Sequence, residues 1–138
     1  ERRGAPVQAF LRISDKEIRV REQITTPDYL IVQDPTLLRE SGEVLAGSEK
    51  AKGILINTDK EKWSEIKNAV CVPATKIALE KIGKPFINTA ILGAFAAMTD
   101  LVSLPSLKRA VMERFPEALA KSNVAALEAA YEYIKGRK

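Results

Sequence analysis

Histidine is absent from the 138 residues, and cysteine occurs once, at Cys71. The first absence excludes Ser-His-Asp and Cys-His nucleophiles and every histidine-based metal site. The second excludes an internal disulfide, and the apolar run around Cys71 marks its thiol as inert core. There is no G-x-G-x-x-G after a strand pattern and no P-loop, so a self-sufficient nucleotide site is not supported. No apolar run reaches the roughly 20 residues needed to cross a hydrocarbon core. Neither end reads as a targeting signal: Glu1-Arg2-Arg3-Gly4-Ala5-Pro6 has no apolar core, and the chain closes on a basic Lys-Gly-Arg-Lys. A cytoplasmic protein without membrane association is the expectation.

Low-complexity tracts and internal repeats are also missing, and the length suits one domain able to bury about two-thirds of its unfolded surface. Lys and Arg number 22 against 18 Asp and Glu, a net +4, and the signs are mostly interleaved. A nucleic-acid binder concentrates its positive charge, so no nucleic-acid partner is expected. The exception is the first part of the chain, where Arg2, Arg3, Arg12, Arg19 and Arg21 accumulate.

Hydrophobic spacing divides the chain into a strand-rich front and a helical back. Val7, Ala9, Leu11 and Ile13 alternate with Gln8, Phe10 and Arg12, and after a Ser14-Asp15-Lys16 turn Ile18 and Val20 alternate with Arg19 and Arg21. This pattern predicts an antiparallel hairpin with arginines on one side, either a solvated face or a patch for an anion such as phosphate. Residues 28–34, 53–57 and 69–73 are short apolar runs, read as parallel strands buried on both faces. Between them, a short helix is predicted at 36–40 and an amphipathic one at 59–68, anchored by Trp63 and Ile66. Strands separated by helices give parallel order.

The last third predicts helices only. One is capped by Thr75 and stops at Gly83 before Pro85; another is capped by Ser103 with Pro105 in its first turn and ends at Pro116. The terminal helix carries a seam of Ala120, Val124, Leu127, Tyr131 and Ile134. Between these lies 88–99, apolar nearly all round, with Asn88 as N-cap. Ala90, Gly93, Ala94 and Ala97 form its small face; Ile91, Leu92, Phe95 and Met98 form the bulky one. That small face suits either close packing within the domain or another subunit. The expected fold is a three-layer α/β/α domain with a mixed sheet and a helical C-terminal third.

Catalytic signatures are weak. Asp28 and Asp34 flank a strand and stand about 20 Å apart at a strand's rise, too far to share one bond. In an open sheet, ligands bind at the carboxyl ends of parallel strands. Here those are Asp34-Pro35-Thr36, Asn57-Thr58-Asp59 and Pro73-Ala74-Thr75, whose content also suits plain helix caps. From residues alone, the reading is an α/β binding or scaffold domain, with a free-standing small-ligand or phosphate-binding module as one form of it.

Several stretches in order are specific where each alone is weak. Glu1-Arg2-Arg3-Gly4-Ala5-Pro6-Val7, Ala9-Phe10, Arg12-Ile13-Ser14-Asp15 and Pro27-Asp28 are followed by Gly53-Ile54-Leu55-Ile56-Asn57-Thr58, Pro73-Ala74-Thr75, Ile77-Ala78, Asn88-Thr89 and Leu92-Gly93-Ala94. Together they resemble the gamma subunit of 2-oxoacid:ferredoxin oxidoreductases, above all the pyruvate enzyme, from Glu1 to about Phe115. That family has a strand and helix joined by a glycine-rich turn before the Glu-Arg-Arg segment. The resemblance therefore implies a single gamma-type domain over 1–138 lacking this N-terminal part. Asp100 departs from the family, which often has Gly after the Thr99 position.

The resemblance implies a non-catalytic subunit of a complex that oxidatively decarboxylates a 2-oxoacid, passing the acyl group to coenzyme A and electrons to ferredoxin. Thiamine diphosphate, Mg and iron-sulfur clusters are then expected on partner subunits of the alpha, beta and delta types, with none bound by this chain alone. One cysteine cannot ligate a cluster. Arg2, Arg3 and Gly4 are the candidate site residues, lining either the coenzyme A site or a subunit junction, since an anionic ligand favours arginine and backbone N–H groups.

Overall fold

The computed structural model describes residues 7–40 and 42–137. Three strands, β1 (Tyr29–Val32), β2 (Gly53–Asn57) and β3 (Ala69–Val72), form one parallel sheet in that spatial order. Leu30 aligns with Ile54, and Ile56 with Cys71. The centre of the sheet is β2, every residue of which is buried. Alternation sorts the side chains onto two faces. Leu55, Val70 and Val72 face one way with Ile31, and Ile54, Ile56 and Ala69 face the other with Leu30 and Val32.

Helices α2 (Ala74–Lys81), α3 (Ile87–Thr99) and α5 (Glu117–Lys135) cover the first face, and α4 (Leu104–Arg114) leans on α5 and α3. The second face is closed by a thinner layer: α1 (Leu37–Glu40), a 3-10 turn at Gly42–Leu45, and Trp63 and Ile66 from the crossover between β2 and β3. Three layers result, one of them mostly loop. Leu55, Ile56, Val72 and Leu127 are the largest fully enclosed side chains, each contributing about 1.5–3 kcal/mol by leaving water.

The α/β class, the parallel strands and the helical back match expectation, but the N-terminal hairpin does not form. Residues 7–28 contain no strand, and Val7, Leu11, Ile13 and Val20 are 55–75 % exposed. A two-stranded ribbon needs a packed face to be stable, and no described element covers this one. The sheet among the described residues is therefore parallel rather than mixed. The segment from 59 to 68 is also not a helix; it crosses by turns and ends at Asn68 with φ +62°. Two anchors three residues apart supply one turn's worth of apolar contact, too little to offset the poor helix propensity of Asp59, Ser64 and Asn68.

Helix starts were legible to within a residue or two, and the caps less so. Ser103 caps α4 as expected, its Oγ accepting from the Ser106 N–H at 3.2 Å. Pro73 and Phe86 occupy the N-cap positions of α2 and α3, so Thr75 and Asn88 fall inside the first turns. Gly83, at φ +88°, closes α2 through its N–H to the Ala78 and Leu79 carbonyls. Asp100 ends α3 at φ +57°, a conformation glycine adopts without strain, and its carboxylate accepts from Lys135 Nζ at 3.0 Å. That hydrogen bond raises the Lys135 pKa.

The small face of α3 is filled by the chain's own α5. Gly93 sits under the Leu127 carbonyl, where a Cβ would collide with the oxygen. On the sheet side, Phe95 meets Tyr29 edge to face at 6.0 Å between ring centres. Gly93→Ala is expected to lose about 1–3 kcal/mol to overpacking, against the gain of about 1 kcal/mol that alanine brings to an unhindered helix position. Urea unfolding checks the sign, and a stabilised variant would refute the close approach. Asp100→Gly trades an exposed ion pair for an unstrained left-handed residue and is expected to move the urea midpoint little in either direction. Asp100→Ala, which loses both, should be the less stable of the two.

Candidate functional site

The three strand-end loops meet where an open sheet binds ligands, and Asn57 ties them together. This residue ends β2 and is 7 % exposed. Its amide nitrogen donates to the Gln33 carbonyl at 3.0 Å and to Thr75 Oγ1 at 2.9 Å, while its Oδ1 accepts from the Thr75 N–H at 3.2 Å. One side chain thus joins the end of β1, the end of β2 and the first turn of α2. It also supplies, from another element, the cap that Pro73 cannot offer.

The neighbouring polar groups are also engaged in local structure. Asp34 Oδ1 accepts from the Thr36 N–H at 3.0 Å and Oγ1 at 2.7 Å, which starts α1. Thr58 donates its N–H to the Val72 carbonyl at 3.0 Å, and its Oγ1 accepts from the Lys60 N–H at 3.2 Å. Beside them lies an open cleft of about 420 Å³ lined by Asp59, Thr75, Lys76, Leu79 and Glu80. Its charged groups are of both signs, and the Thr75 N–H is already taken by Asn57. The capping reading of these loops accounts for their polar content.

A second open cleft, of about 490 Å³, lies within the N-terminal segment, between residues 8–12 and 18–23. The two stretches run close without a ladder, and Arg12 donates to the Glu22 carbonyl at 2.6 Å. Phe10, Arg12, Ile18 and Arg21 are among its walls. Arg19 pairs with Glu17 at 3.3 Å in full solvent exposure, as a solvated face would. Arg2, Arg3 and Gly4 lie outside the described residues.

Cys71 is 4 % exposed, and burial pushes its thiol pKa up, opposed by the charges of Arg137 and Lys60. Among the described residues, no group of three or more Cys, Asp or Glu side chains is placed to hold a metal ion. A single enclosed thiol does not fit an iron-sulfur cluster's ligand set. Asn123, missed in the helical seam because it is polar, is buried in α5 with its amide donating to the Leu119 carbonyl at 2.9 Å. Its spacing, three residues after Ala120 and four before Leu127, is the signal that places it on the buried stripe.

Fold and site together define an α/β module whose strand-end loops are tied together by the Asn57 side chain. The family profile for pyruvate ferredoxin/flavodoxin oxidoreductase matches residues 1–133. Pyruvate synthase subunit PorC of Methanocaldococcus jannaschii is 48% identical over 131 residues, covering 95% of this chain and 73% of that protein. The pyruvate/ketoisovalerate oxidoreductases common subunit gamma of Thermococcus kodakarensis is 45% identical over 138 residues, covering 95% and 74%. The crystal structure of pyruvate oxidoreductase subunit PORC from Thermotoga maritima superposes with a TM-score of 0.68 at 31% identity, over 79% of this chain. This chain spans 64% of the length of that one. The chain belongs to the pyruvate ferredoxin/flavodoxin oxidoreductase family, and within it to the gamma-type subunits.

Two outcomes follow from the geometry. Asn57→Ala leaves the Gln33 carbonyl and the Thr75 N–H without partners and is expected to cost about 2–4 kcal/mol, whereas Thr75→Ser, which keeps the hydroxyl, costs under about 1 kcal/mol. Denaturant midpoints distinguish them, and equal losses would remove Asn57 from its central place. Cys71 is expected to react with a thiol reagent at the rate of unfolding, checked by labelling with and without urea. Its folded thiol keeps its proton to higher pH than the unfolded one. That contribution is complete below the ordinary thiol range and is lost as pH rises from there through the raised folded-state pKa.

Proposed function

We propose that the chain serves as the non-catalytic gamma-type subunit of a cytoplasmic pyruvate, or more broadly 2-oxoacid, ferredoxin oxidoreductase. That complex decarboxylates pyruvate, passes the acetyl group to coenzyme A and reduces ferredoxin. Thiamine diphosphate with Mg and the iron-sulfur clusters supply this chemistry on subunits of the alpha, beta and delta types, and this chain contributes to assembly rather than to the reacting groups. The observation that carries the reading is the 48% identity to a named pyruvate synthase subunit, which runs over 131 residues, nearly the whole chain. Arg2, Arg3 and Gly4 line a subunit junction beside the coenzyme A site, where two adjacent guanidinium groups suit an anionic ligand.

Purification of the native complex through a tag on this chain is expected to bring down the other subunits together with pyruvate- and coenzyme A-dependent ferredoxin reduction. Recovery as a lone, ligand-binding monomer would overturn the assembly role in favour of a free-standing module. In the holoenzyme, Arg2→Ala combined with Arg3→Ala is expected to raise the KM for coenzyme A about tenfold, the loss of roughly one charge-assisted hydrogen bond. An unchanged KM with intact assembly would sink the ligand contact and leave the two arginines as salt-bridge partners of another subunit.

A further inference from the structure

We draw no further inference here: the strongest candidate, the exposed apolar side of segment 7–26 with Val7, Leu11, Ile13 and Val20 beside the Arg12 cleft, carries nothing because nothing in the structure shows what covers it.

Discussion

The backbone-to-backbone approach of α3 and α5 at Gly93 is the constraint on which the helical layer depends. A helix that is apolar nearly all round needs cover on more than one side, and of its large apolar side chains only Leu92 is left exposed, at 40 %. The sheet can serve only one of those sides. The small residues Ala90, Gly93, Ala94 and Ala97 let α5 close the other, with the Leu127 carbonyl directly over Gly93. Once α3 is held this way, Phe95 reaches Tyr29 and Met98 packs over Gly53, its sulfur 3.2 Å from where a Cβ would stand, so the same helix sets the spacing between helices and sheet. Dense packing of this kind passes any displacement of α5 on to the strands.

A polar junction does for the strand ends what Gly93 does for the helices. Asn57 satisfies a carbonyl of β1's end and both hydrogen-bonding groups of Thr75 that face it. Inside a low-dielectric layer, a fully satisfied network of this sort specifies one arrangement of its elements and penalises others. At this end of the parallel sheet, the Asn57 side chain is fully engaged in holding β1, β2 and α2 together.

Much of the architecture was legible from the residues. The limits of β2, the cap at Ser103, the stops at Gly83 and Pro116 and the order of the helices follow from local chemistry: φ restrictions at Gly and Pro, hydroxyl caps, and periods of two and 3.6. The hairpin at 7–21 and the helix at 59–68 did not appear, since each pattern needs a surface to pack against and pattern alone does not say whether one is present. The candidate site was legible only in part. Asn57, Asp34 and Thr75 stood out as polar groups at strand ends; Asp34 bonds locally to Thr36, but the bonds of Asn57 to Gln33 and Thr75 join elements far apart in sequence.

Family membership is a property of the sequence by itself, because the order of short stretches from Glu-Arg-Arg-Gly-Ala-Pro to Leu-Gly-Ala is specific even where each is weak. The sequence also excluded histidine chemistry and an internal disulfide, which follow from composition without any geometry. Only the tertiary structure decided what the small face of α3 meets. Small side chains permit close approach by any backbone, and which backbone arrives depends on where α5 returns. Likewise, an asparagine at a strand end can bind a ligand or cap a helix, and the position of α2 decided that Asn57 does the second.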